Sequence, residues 1–353
     1  MGKKLRTAID TILNNLGNYA FPGGKPTIDW GGDVPVPSYS VSKTIGTGLS
    51  ASGGDTSVDY GDSLEVTISI TNNLYVIDDD NVEVIMGGSP LAGAWNASTK
   101  KVHIAAVTGD VVINVPSMTY VDGGHLVVMF DGKNRGDVAG EWTDLKDNTR
   151  KLILTNCTEN TDSVTLDGST STAMAATAGV GVDVPRSSGT IEAVATGMIY
   201  SNGNAQSDII IANKGLKENG NIVPVMAMGL FYSASFNNGL GAYWFNKDTN
   251  AAANEPNVWL LGKSSLTTSD ILHLSLSSER AYLNGVSLSR ASATAGVRSS
   301  DYSRIGVFSN VGSNGANVYR KGTMYCARIY DKILSADEVA QNYKVDRKRF
   351  NLI

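Results

Sequence analysis

The 353-residue sequence is poor in the residues on which catalysis, metal binding and nucleic-acid recognition most often rest. It has three histidines and two cysteines. His103, His125 and His273 are scattered, with no i, i+4 pair and no cysteine companion. That argues against a zinc site and leaves ordinary strand histidines. Cys157 and Cys326 lie far apart, and a chain of this size does not depend on one disulfide. Both read as reduced core or half-core thiols, made in a reducing cytoplasm. Charged residues make up 18% and the net charge is −5, without the basic face that nucleic acid requires. The one local basic cluster, Lys344, Arg347, Lys348 and Arg349, reads as a solvated tail after the last helix. No apolar run approaches a membrane span. The start, MGKKLRTAIDTILNNLG, has the positive beginning of a signal peptide, but Thr7, Asp10, Thr11, Asn14 and Asn15 interrupt its apolar region. The expectation is a chain neither secreted by the usual route nor embedded in a membrane. Met1-Gly2, followed by Lys3-Lys4, is a weak match to a myristoylation start.

Active-site motifs are equally scarce. Gly262-Lys263-Ser264 looks like the end of a phosphate loop, but Asn257 holds the place of its first glycine. Gly46-Thr47-Gly48 with Ala51 fits a dinucleotide fingerprint formally. No helix follows in Ser52-Gly53-Gly54-Asp55, so it reads as a turn. No G-x-S-x-G elbow occurs, and no self-similar period marks a repeat array.

What the chain has is glycine, 38 of them, and many short runs of β-formers between Gly, Asn, Asp and Ser clusters. The fold class is therefore all-β, with helices at the two ends only. Leu5, Ile9, Ile12, Leu13 and Leu16 recur at three- and four-residue steps up to Gly17, an amphipathic helix with a coiled-coil-like seam. Such a short helix is marginal alone and should dock on a partner, on its own chain or on copies of itself. Pro22, Gly23, Gly24, Pro26, Gly31, Gly32, Pro35 and Pro37 then form an extended tether, so residues 1–38 read as an anchor helix and arm.

Residues 39–118 read as a small β domain. Val58–Thr71 alternates after a Gly-Asp turn, Asn81–Met86 and Lys100–Ala106 follow, and Thr108-Gly109-Asp110 turns into Val111–Val115. The pieces VDYGDSLEVTISI, VEVIMGG and IAAVTGDVVINV resemble bacterial Ig-like domains of surface and phage structural proteins. That resemblance implies a spacer or weak adhesive module.

Residues 119–353 hold strand-like runs at Leu126–Phe130, Lys151–Asn156, Thr190–Ile199, Asp208–Ile211, Val225–Tyr232, Gly241–Phe245, Val258–Leu261, Ile271–Ser277 and Arg304–Phe308. Asn284-Gly285, inside RAYLNGVSLS, is a strong hairpin signal. Met324–Tyr330 reads as a strand buried on at least one face. Ser335 and Glu338 then form the capping box of a short helix, and Val339 and Tyr343 pin that helix to the sheet. HLVVMFDG, WTDLKDNT, AYLNGVSL, SRIGVFSN and MYCARIYDKILSADEVAQNY resemble the concanavalin A-like, laminin-G-like jelly-roll lectins. The Ala/Thr/Gly-rich stretch Ser169–Arg186 matches nothing in that family.

The lectin fold also carries glucanases, which set two or three carboxylates at alternate positions on one strand. No such run exists here. Glu141 with Asp144 falls in a turn and Asp337 with Glu338 in a helix cap, so the expectation is no enzyme. Sugar binding sets aromatic faces beside Asn or Asp side chains. The candidates are Tyr243 and Trp244, Phe236 with Asn237 and Asn238, and Trp259. Asp131–Asp137 and Asp78–Asn81 are oxygen-rich enough for Ca²⁺ but read as solvated turns, so no cofactor or metal is expected. The resemblances together imply a virion protein of a tailed phage, a capsid (head) fibre or decoration. Its arm would grip capsid or other virion proteins, plausibly as a homotrimer, and its head would adhere weakly to host-surface or mucus glycans. A tail fibre and a bacterial surface glycan-binding protein are the alternatives.

Overall fold

A computed structural model describes Thr7 and residues 36–177, 180–182, 184, 188–197, 208–213, 216–218, 221–223, 226–233, 239–246, 257–262, 269–291, 300–301, 305–312, 317–319 and 321–352. Within 208–319 several strands are described through their backbone only. The protein is all-β apart from one C-terminal helix and two short 3-10 turns among the described residues. It divides into two units, Met1–Thr119 and Tyr120–Ile353.

The smaller unit is a sandwich of a five-stranded and a four-stranded sheet. Its first strand, Ser38–Ile45, changes partner midway. Ser38–Ser40 pairs antiparallel with Ser57–Asp59, and Val41–Ile45 pairs parallel with Val111–Val115. Asp110 pins the change, accepting from both the backbone N–H and the hydroxyl of Ser40 at 2.9 Å. Gly61, at φ +83°, divides Ser57–Asp59 from Leu64–Ile70 and sends them to different sheets. Alternation along Leu64–Ile70 then buries Leu64, Val66 and Ile68 against Val102, Ile104, Val111, Ile113 and Val115. The Gly46–Gly48 stretch is a turn, with Gly48 at φ +75°.

The larger unit sets an eight-stranded sheet against a nine-stranded one. The organising strand is Lys321–Tyr330. One edge of it pairs with Thr190–Thr196, the other with Leu126–Asp131 and Val164–Asp167. Ile191, Ala193 and Ala195, Leu272, Leu274 and Leu276, and Ala327 and Ile329 all enter one apolar core. Trp142, Leu152, Ala173 and Val307 enter it from the other sheet. Period-2 alternation puts Glu192, His273, Ser275 and Arg328 on the reverse face, yet all of these are buried. The C-terminal helix, Ala336–Phe350, covers them.

That helix begins as its sequence dictates. The Ser335 hydroxyl accepts from the Glu338 N–H at 3.3 Å, and the Glu338 carboxylate accepts from the Ser335 N–H at 2.9 Å. Val339 is fully buried, and Tyr343 stacks on His273 with ring centroids 5.9 Å apart. The helix is longer than expected, however, with 15 residues. Lys344, Arg347, Lys348 and Arg349 therefore lie within it and not beyond it. Arg349 is buried, which corrects the reading of a solvated tail.

The Asn284-Gly285 hairpin forms as expected, with both residues at positive φ (49° and 74°) between Ala281–Leu283 and Val286–Ser287. Gly285 also lies under the helix, since a Cβ there would stand 2.9 Å from the Tyr343 ring. Gly285→Ala should therefore destabilise the larger unit by about 1–3 kcal/mol through backbone strain and overpacking. Urea denaturation of the full chain, followed by near-ultraviolet circular dichroism, would measure this. A cost below a few tenths of a kilocalorie would show that the helix does not press on the hairpin.

Candidate functional site

Beneath the C-terminal helix lies a network of charged groups sealed from solvent. Arg328 reaches Asp346 through both terminal nitrogens, at 3.0 and 2.5 Å, and Glu192 through Nε at 3.0 Å. Asn342 donates to Glu192 and to the Tyr330 hydroxyl, each at 2.9 Å. Tyr120 donates to Asp346 at 2.7 Å, and its ring lies 4.1 Å beneath the Arg328 guanidinium. Arg349 pairs with Asp131 at 2.6 Å. His273 Nε2 stands 3.4 Å from Glu192 and 3.8 Å from Asp346. Burial pushes the Glu192 carboxyl up, but Arg328 and His273 outweigh that and hold it below the ordinary carboxylate range. Burial also pushes the Tyr120, Tyr330 and Cys326 groups up, and there it prevails, so all three stay neutral. These groups are closed to solvent. They join the helix to the sheet.

This network corrects one expectation and adds to another. Asp131 is not in a solvated turn: it is fully buried, accepts from the Lys133 N–H and Asn134, and pairs with Arg349. His273 is a strand histidine as expected, on Leu272–Ser277, and it is an interior one between carboxylates. Asp78, the other calcium candidate, starts a 3-10 turn and accepts from Asn81 at 2.6 Å. Among the described residues no group of three His, Cys, Asp or Glu side chains is placed to hold a metal. Both cysteines are free. Cys326 is buried and Cys157 half-buried, with its thiol pushed up to about 11 by burial.

Glu141 and Asp144 are each paired with a basic side chain as well. Glu141 lies on the strand Glu141–Thr143 and pairs with Lys151 at 2.5 Å. Asp144, just beyond it, is fully buried and accepts from the Met129 and Lys146 N–H groups and from Arg150 Nε, at 2.8, 2.9 and 2.8 Å. Burial pushes its carboxyl above the usual value.

Asp144 anchors the turn that forms one wall of an open cleft of about 910 Å³. Leu126, Val127, Leu145, Lys146, Asp147, Asn148, Arg150, Gly181 and Val182 line it. Arg150 Nη2 donates to the Val127 carbonyl at 2.6 Å, and Lys146 pairs with Asp122 at 2.6 Å. The opposite wall is clamped by Asn213, which exchanges two hydrogen bonds with the Val182 backbone. Sequence reasoning missed this cleft. Its only local signal was the WTDLKDNT piece, which matched a family without suggesting a role.

The described aromatic candidates lie on strands Gly239–Asn246 and Asn257–Gly262, toward the other edge of the nine-stranded sheet. Trp244 lies opposite Met228, which continues a row of paired residues running through Ile211, Val307, Ala173 and Leu154. Those four are buried core residues, so Trp244 takes a core-side register position. Trp259 pairs with Ala242 and shares that side. Tyr243, opposite Gly229 and Val258, takes a position on the other side. Phe236, Asn237 and Asn238 lie outside the described residues, as do Leu5, Ile9, Ile12, Leu13 and Leu16.

No family model and no curated protein matches the chain. Several solved structures do. Trypanosoma rangeli sialidase in complex with sialic acid is 14% identical over 69% of this chain and 35% of its own, with a TM-score of 0.42. Its complex with 2,3-difluoro-KDN gives 16%, 69%, 34% and 0.41. A point mutant of HCR/D is 12% identical over 62% of this chain and 52% of its own, at 0.39. The chain thus spans about a third of the sialidase and about half of HCR/D. At these values the likeness is one of β architecture and assigns neither activity nor ligand.

The buried network gives two predictions. Arg328→Met leaves Glu192 and Asp346 without their shared guanidinium and should cost about 3–5 kcal/mol in urea denaturation. Adding Glu192→Gln and Asp346→Asn should recover much of that. A carboxyl held low in the folded state contributes stability above its unfolded value, and that stability is lost on acidification. Unfolding free energy should thus decline as pH falls below about 4.5, the unperturbed glutamate value. The Glu192→Gln variant should show a shallower acid limb in pH-resolved thermal melts.

Proposed function

We propose that the chain is a non-enzymatic adhesion protein of a tailed-phage virion, a head fibre or capsid decoration. In this reading the larger unit is a lectin-like head, the smaller unit an Ig-like spacer, and residues 1–38 an anchor that assembles a trimer on other virion proteins. The observation that supports the non-enzymatic part is the pairing of five carboxylates in the larger unit. Asp131, Asp144, Glu192 and Asp346 each accept from an arginine, and Glu141 pairs with Lys151. Acid–base hydrolysis of a glycoside needs two carboxyls facing one sugar, and these five serve the fold instead. Two sheets with aromatic positions and an open cleft suit weak recognition, strengthened by the number of copies. The virion part rests on the sequence resemblances and on the helix-plus-tether pattern.

One experiment separates the two parts. Full-length protein and a form lacking residues 1–35 would be compared for oligomeric state and for binding to a multivalent glycan array. Pro37 must stay, because its carbonyl accepts from the Tyr60 N–H. The expected result is a trimer that becomes a monomer on truncation, with binding of single heads too weak to detect until they are clustered. Monomers in both forms would sink the fibre reading. Cleavage of any arrayed polysaccharide would overturn the non-enzymatic one.

A further inference from the structure

We propose that the cleft between the 144–150 turn and the 181–182 segment is a saccharide site for a neutral oligosaccharide. This rests on the glycan-binding reading and gives it a location other than the aromatic strands.

The first argument is chemical. One sugar ring presents both an apolar face and a rim of hydroxyls that donate and accept. The cleft offers the complement. Leu145 is 38% exposed although it stands in a turn of polar residues, and Leu126, Val127 and Val182 extend the apolar surface beside it. The polar groups are of both kinds. The Asn148 side chain is exposed, makes no hydrogen bond among the described residues, and supplies two donors and an acceptor. Arg150 uses Nε on Asp144 and Nη2 on the Val127 carbonyl, which leaves Nη1 for a ligand. The Asp147 carboxylate accepts from the Thr149 N–H and hydroxyl through one oxygen, at 3.0 and 2.6 Å. Its other oxygen lies 3.8 Å from Arg150.

The second argument is electrostatic and selects the class. Both cations of the cleft already have a carboxylate, Lys146 with Asp122 and Arg150 with Asp144. Asp147 stands beside them as an additional anion. A carboxylated or sulfated sugar would meet no free positive charge, so the site favours an uncharged one.

The third argument is rigidity. The turn is held from below before any ligand arrives. Asp144 is fully buried and accepts from three donors, two of them the backbone N–H groups of Met129 and Lys146. The Leu145 N–H in turn donates to the Met129 carbonyl at 2.9 Å. Little ordering entropy is left to lose on binding, which is what lets a small polar contact set bind at all.

The test uses the full-length protein on an array of neutral and anionic oligosaccharides, then saturation-transfer NMR with the best neutral ligand. Variants are Asn148→Ala, Leu145→Ser, both together, and Tyr243→Ala. Asn148 and Leu145 are exposed, so circular dichroism should match the parent. The expected outcome is a loss of about ten-fold or more in the double variant, with Tyr243→Ala unchanged. Undiminished binding in the double variant, with loss in Tyr243→Ala, would overturn this site and leave the glycan reading standing. Preference for anionic sugars would overturn the neutral class. Binding of no oligosaccharide by the clustered parent protein would overturn the site and the glycan reading together.

Discussion

Arg328 stands between two carboxylates, buried with them beneath the C-terminal helix, and the larger unit is built around keeping it there. Desolvating three charges is expensive, and only good geometry and full hydrogen bonding repay it. Each element contributes one part. Thr190–Thr196 brings Glu192, the C-terminal helix brings Asn342 and Asp346, and Tyr120, ahead of the strand Leu126–Asp131, adds a hydroxyl and an aromatic face. Arg349 and Asp131 then tie the last turn of the helix to Leu126–Asp131. A sheet that would otherwise show a polar face to solvent is thereby buried on both sides, and strand ends and helix form one body.

This arrangement gives physical content to the run Arg328-Ile329-Tyr330-Asp331. Its alternation is functional at every position. Ile329 enters the apolar core, Arg328 and Tyr330 turn to the helix, and Asp331 meets His125 at the surface at 2.7 Å. A strand of this kind closes a sheet and docks a helix in one step. Its charges serve architecture, and another buried carboxylate, Asp144, braces the 144–150 turn in the same way.

The strands were legible because alternation and turn residues are local signals. Leu64–Ile70 and the Asn284-Gly285 hairpin follow from the period-2 pattern and from the φ > 0 requirement of a two-residue turn. The capping box was legible for the same reason, since Ser335 and Glu338 are three residues apart. The last helix was read as too short because its charged residues looked like a tail. Arg347 and Lys348 do face solvent, but Arg349 finds Asp131 at a separation of 218 residues, and nothing near it in sequence announces that.

The sequence by itself determined an all-β chain, the positions of many of its strands, several of its turns and the start of its final helix. Each of these depends on residues a few positions apart. Tertiary structure alone decided that LHLSLS is buried on both faces, that His273 lies between Glu192 and Asp346, and that Asp144 braces a cleft. It also placed Trp244 and Tyr243 on opposite sides of one sheet relative to its core. These outcomes turn on which strands become neighbours, and pairings across more than a hundred residues leave no trace in a local pattern.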